Sequence, residues 1–144
     1  MNLKNYTSKS PAVNSINNIE KKLVSVGAKN INKEYDEGVL KRITFLVDVN
    51  GNTAVFKLPA KIDTIFDVLW SQVKRPQPGT KDRIKAQAER TAWKILSDWV
   101  EVQCTMILLQ QAELAEVFLP YYYNPSLQQT LWNQVKEGSI KLLQ

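Results

Sequence analysis

The chain has 144 residues, 44% of them hydrophobic and 23% charged, which suits one globular domain with a real core. It holds no histidine and one cysteine, Cys104. That excludes imidazole acid–base chemistry, a histidine-ligated metal, an intrachain disulfide and a cysteine-rich zinc site. The segment Met1–Tyr6 lacks the apolar core of a signal peptide, and no stretch approaches the roughly 20 apolar residues of a membrane span. The expectation is a cytoplasmic, non-enzymatic chain without metal, cofactor or membrane.

Residues 1–9 are polar and are expected to be loose, with a single α+β domain over 10–144. That domain reads as a helix–sheet–helix part (10–73) followed by a helical part (80–137). Ser10-Pro11 looks like an N-cap followed by a first-turn proline, and Val13, Ile16, Ile19, Leu23 and Val26 recur at helical spacing up to Gly27. Three strand-like runs follow: 30–35, 39–49 and 52–58. Asn50-Gly51 between the last two is the strongest short hairpin signal, because a type I′ turn needs positive φ at both positions. With that turn as the loop, Ile43 faces Leu58, Phe45 faces Phe56 and Val47 faces Ala54, so turn chemistry and hydrophobic pattern choose one register. The sheet is therefore expected to be small, antiparallel and three-stranded. Its other face, with Thr44, Leu46 and Asp48 opposite Lys57, Val55 and Thr53, is mixed.

Pro59 closes the sheet, and Ile62, Ile65, Phe66, Leu69, Trp70 and Val73 trace an amphipathic helix. Residues 74–79, with two prolines and a glycine, are a linker. From Thr80 to Leu119 there is neither proline nor glycine, which predicts a long helix that either breaks near Gln110-Gln111 or projects as an arm. On it Ala88, Ala92, Ile95, Trp99, Val102, Met106 and Leu109 alternate four- and three-residue steps, a seam that suggests self-association into a homo-oligomer. Tyr121-Tyr122-Tyr123 then form an aromatic loop between Pro120 and Pro125. Residues 126–129 read as a capping box for a short last helix through Lys136.

Charge is concentrated. Between positions 74 and 94, Lys74, Arg75, Lys81, Arg83, Lys85, Arg90 and Lys94 face only Asp82 and Glu89, so this segment carries the +5 excess of the whole chain. Such a field favours anionic partners. On a helix Arg83, Gln87, Arg90, Lys94 and Asp98 fall on one face, with Trp93 beside it. A guanidinium fork next to an indole can clamp a phosphate while stacking a base. Tyr121 and Tyr122 offer further stacking surfaces. The structural alternative is that Trp93 and Trp99 are core anchors and Arg90 pairs with Asp98 or Glu89. Gly79-Thr80 opens the helix, where free N–H groups can hold an anion, but the glycine pattern of a phosphate loop is missing.

The run Ala88-Glu89-Arg90-Thr91-Ala92-Trp93-Lys94-Ile95-Leu96-Ser97-Asp98-Trp99-Val100, with Gln111-Ala112-Glu113 and Val117-Phe118-Leu119-Pro120-Tyr121, resembles a family of small uncharacterised bacteriophage and prophage proteins. The resemblance implies a phage-type accessory protein made in the bacterial cytoplasm and carries no catalytic residue with it. Together with the charge, it leads to the expectation of a host-defence inhibitor that sequesters an anionic nucleotide signal between protomers. Arg83, Gln87, Arg90, Trp93, Lys94, Tyr121 and Tyr122 are the candidate ligand-binding residues. The alternatives are a nucleic-acid-binding accessory of phage replication or recombination, and a protein–protein inhibitor of a host enzyme.

Overall fold

Asn50 and Gly51 have φ values of 52° and 80°, the pair of positive angles a type I′ loop requires, and the sheet is built outward from that turn. The computed structural model describes residues 4–142. In chain order these form helix α1 (Ala12–Ser25) and strands β1 (Lys29–Asp36), β2 (Val39–Val49) and β3 (Asn52–Pro59). Helices α2 (Ile62–Ser71), α3 (Thr80–Leu108) and α4 (Leu114–Phe118) follow, then a 3-10 turn over Leu119–Tyr121. Strands β4 (Tyr122–Asn124) and β5 (Gln129–Thr130) and helix α5 (Leu131–Lys136) complete the α+β fold. The β2–β3 register is the one read from the sequence, with Ile43 opposite Leu58, Phe45 opposite Phe56 and Val47 opposite Ala54.

The expected three-stranded sheet is incorrect. Among the described residues the sheet has five antiparallel strands in the order β1-β2-β3-β4-β5, beside five α-helices. The tyrosine run is not a loop: Tyr122 pairs with Phe56 and Tyr123 with Val55 along the outer edge of β3. The stretch read as a capping box instead turns β4 into β5. Asn124 Oδ1 accepts the N–H groups of Ser126 (3.0 Å) and Leu127 (3.3 Å), and Gln128 takes a φ of 54°. The true cap of α5 is Thr130, whose hydroxyl accepts the Asn133 N–H at 3.2 Å. Strands of three and two residues are too short to carry a two-residue period. Their pairing comes from the open edge of β3, which lies far away in sequence.

Of the two alternatives for the long helix, a break near Gln110-Gln111 or a projecting arm, the chain takes the break. Gln110 adopts a φ of 59°, the Gln111 N–H reaches the Met106 carbonyl (2.9 Å) and the Gln110 N–H the Ile107 carbonyl (3.0 Å). This paired closure caps a helix through a left-handed residue. Helix α4 then restarts with a capping box in which Glu113 and Glu116 exchange hydrogen bonds with each other's backbone.

The chain divides into two compact units. The second comprises residues 23–59 and 103–144 and holds the sheet. One sheet face is its core: Phe45 stacks on Phe56 at 5.4 Å, Phe118 meets Phe45 edge-on at 5.5 Å, and Ile43 and Leu58 are fully buried. The opposite face is a polar ladder. Glu34 takes Arg42 (2.8 Å), Thr44 (2.9 Å) and Lys57 (3.3 Å), and Lys57 sits 4.0 Å over the Tyr123 ring. Burial pushes the Glu34 carboxyl up, but its bonds to Arg42 and Thr44 and the Lys57 charge outweigh this and hold it below the usual carboxylate value.

The first unit comprises residues 1–22 and 60–102. Its core is Ile16 and Ile19 of α1, Ile62 and Leu69 of α2, and Ala88, Ala92, Trp93 and Val100 of α3. Helices α1 and α3 are joined by Asn18 donating to Ser97 (2.8 Å) and by the Lys22–Glu101 pair (3.6 Å). The segment expected to be loose, apart from positions 1–3, which lie outside the described residues, is tied along α3. Asn5 donates to Asp98 (2.9 Å), Thr91 donates to the Asn5 carbonyl (3.0 Å), and Gln87 (3.1 Å) and Arg90 (3.3 Å) donate to the Ser8 carbonyl.

Candidate anion-binding site

Helix α3 starts where a stiff linker allows it. Pro76 and Pro78 fix the approach, and Gly79 takes a φ of 85°. The Thr80 hydroxyl accepts the Gln77 N–H at 2.9 Å, and the Arg83 N–H closes the first turn onto the Gly79 carbonyl at 3.1 Å. This geometry sets Lys74 and Arg75 just before the helix and Arg83 in its first turn. Arg90 follows seven residues later, about two turns and roughly 10 Å along the same face. The N-terminal strap adds Tyr6 and Lys9.

These groups line one cleft of about 660 Å³. Its apolar floor is Leu69, Val73 and Ile84, and its polar wall includes Gln72, Gln77, Thr80 and Gln87. Lys9, Lys74, Arg75, Arg83 and Arg90 point the chemistry in one direction: five cations and no carboxylate among the lining residues. None of the five makes an ion pair among the described residues. The size is that of a small-molecule site, and an apolar floor with a few convergent polar groups is the usual build. Like charges held together without partners repel one another, so an anion entering the cleft relieves a standing electrostatic cost.

Arg90 is the best positioned of the five. Its Nε donates to the Ser8 carbonyl and one terminal nitrogen donates to Gln87 Oε1 at 2.6 Å. The other terminal nitrogen, Nη1, has no protein partner among the described residues. Gln87 is held in turn by its bonds to Ser8 and Thr91 (3.0 Å). The guanidinium is thus oriented before a ligand arrives, which lowers the entropy lost on binding.

Of the sequence candidates, Arg83, Gln87 and Arg90 meet in this cleft. Trp93 does not: it is fully buried, so it cannot stack on a ligand, and its indole N–H has no acceptor among the described residues. Helical spacing placed it beside the charged face, but the α3 surface it occupies is the one turned into the core. Lys94 is paired with Asp98 at 3.1 Å, one turn beyond the cleft lining. Burial pushes the Asp98 carboxyl up, yet bonds from Asn5 and Lys94 and the charges of Lys94 and Lys4 bring it below its ordinary value. Tyr121 and Tyr122 belong to the sheet-bearing unit. There Tyr122 meets Phe56 edge-on at 6.0 Å. Tyr6 and Lys9 were missed, because a polar N-terminal stretch gives no signal of where it docks. Lys74 and Arg75 were visible as part of the charge excess. Among the described residues no helix is long and apolar enough to cross a membrane. No family model, curated protein or solved structure matches the chain, so the reading of this cleft rests on its own residues.

Proposed function

We propose that this chain is a non-enzymatic binding protein that captures a phosphate-bearing nucleotide in the cationic cleft of its first unit. The observation that carries the reading is the set of five cations, without ion pairs among the described residues, around one concave surface lined by no carboxylate. A phosphate group satisfies several of them at once through charge-assisted hydrogen bonds. The resemblance to phage proteins supplies the biological setting, in which the captured nucleotide is a signal of host defence and capture removes it.

Calorimetry with a panel of linear and cyclic nucleotides tests this. At least one is expected to bind with Kd near or below 1 μM, about −8 kcal/mol, and Arg75→Glu with Arg83→Glu is expected to weaken it at least a hundredfold. If no nucleotide binds more tightly than about 1 mM, the proposal fails. A nucleic-acid reading is favoured by one observation: Lys81 and Lys85 are exposed on α3 outside the cleft and extend the positive field. It predicts sequence-independent DNA binding whose log K falls with log salt at a slope near −4 to −5 for about five neutralised phosphates.

Self-association through α3 is proposed on separate grounds. Within the first unit Ile95 and Trp99 are only half-buried, and Val102 is 57% exposed, along the seam spacing. Sedimentation over a concentration series checks it, with Val102→Glu expected to favour monomer.

A further inference from the structure

Beside the cationic cleft lies a second, smaller groove of about 470 Å³ in the same unit. The two share Lys9 and Arg90, which line both. Their chemistry otherwise differs. Where the cleft has lysine and arginine, the groove has Pro11, Ala12 and Ala86, three small apolar residues, and one carboxylate, Glu89. Ala86 and Glu89 lie three residues apart on α3, about one turn, so they share a face of that helix.

We infer that this groove is the base-and-ribose subsite of the ligand whose phosphates occupy the cleft, an inference that rests on the proposed nucleotide binding. A proline ring and two alanine methyls present low, flat apolar walls, which suit a planar heterocycle and offer nothing to a phosphate. Glu89 makes no ion pair among the described residues, so its oxygens are open to accept hydrogen bonds. A ribose diol or an exocyclic amine donates to such a carboxylate; a phosphate is repelled by it. Lys9 and Arg90, common to both hollows, meet the ligand where its sugar joins its first phosphate. The division is one of balance: the cleft has five cations and no carboxylate, whereas in the groove Glu89 offsets part of the charge of Lys9 and Arg90, so phosphates favour the cleft. The ligand class that follows is a nucleoside polyphosphate or a nucleotide with a free base, rather than a bare polyanion.

The experiment compares the full chain's affinity for ATP, GTP, CTP and UTP with that for inorganic triphosphate, which has the phosphates without base or sugar. At least one nucleoside triphosphate is expected to bind tenfold or more tightly than triphosphate. Ala86→Trp, which fills the groove from an exposed helical position, is expected to erase that margin while leaving the triphosphate Kd within about twofold. Glu89→Ala, a milder change, is expected to weaken the preferred nucleotide several-fold and to leave triphosphate unchanged or tighter. If wild-type protein binds triphosphate as well as every nucleotide, or if neither variant narrows the margin, the subsite assignment is overturned while the cationic cleft stands. If neither triphosphate nor any nucleotide binds, the proposed function fails and the subsite with it.

Discussion

Replacing Trp93 separates a core role from a ligand role. The side chain is fully buried in the first unit, so Trp93→Ala removes a whole indole from close packing. Truncations of that size cost about 3–5 kcal/mol. Unfolding entropy of about 2.1 cal/mol/K per residue gives the 144-residue chain roughly 0.3 kcal/mol/K, so the melting temperature is expected to fall by about 10–17 °C. Trp93→Phe is the informative partner. It loses part of the packing, but it also removes the buried indole N–H that has no acceptor among the described residues, and an unmet buried donor costs about 1–3 kcal/mol. The two effects oppose, and the variant is expected to stay within about 1 kcal/mol of wild type. Thermal melts followed by circular dichroism, with nucleotide affinity measured on the same preparations, read both quantities. A Trp93→Phe protein that melts normally but has lost nucleotide binding would refute the placement of Trp93 in the core.

Three further outcomes are expected. Lys94→Ala should leave nucleotide affinity within about twofold, since Lys94 is committed to Asp98, whereas Arg90→Ala should weaken it about tenfold or more, the worth of one charge-assisted bond; parallel titrations decide. Gln110→Gly should raise stability by about 0.5–1 kcal/mol, or roughly 2–3 °C, because glycine takes the left-handed helix end without a Cβ penalty. The Asp98 carboxyl is lowered in the folded chain, so its contribution is complete above the unfolded value of about 3.9 and is lost as pH falls through the folded value. Denaturation midpoints between about pH 2 and 6 should therefore fall more steeply for wild type than for Asp98→Asn. Loss of the Asn5 tether should accompany the drop.

The β2–β3 hairpin shows what could be read in advance. Its turn type and its hydrophobic alternation are local properties, and both chose the register in which Phe45 meets Phe56. For the run after Thr80, length offered a break near Gln110-Gln111 or a projecting arm, and the left-handed Gln110 decided for the break. The strands at Tyr122 and Gln129 show the opposite case. Nothing in three tyrosines between prolines announces a strand, because its hydrogen-bond partners, Val55 and Phe56, are supplied by a segment more than sixty residues away. At the site, Arg83, Gln87 and Arg90 share a helical face that periodicity alone revealed. The same periodicity put Trp93 beside them and could not say that its side of α3 faces inward.

The sequence by itself determined the ingredients. These are the absence of imidazole and paired thiols, the excess of lysine and arginine between positions 74 and 94, the helix that carries part of it, and the hairpin register. All of these are composition or short-range geometry, legible one turn or one β-turn at a time. Only the tertiary structure decided that Lys9 and Tyr6 join that charge across about seventy residues of chain, that Lys94 is neutralised and Trp93 buried, and that Glu89 stands in a separate groove. Those are outcomes of which surfaces pack against which. Burial of apolar area sets that arrangement over the whole fold, and no local pattern encodes it.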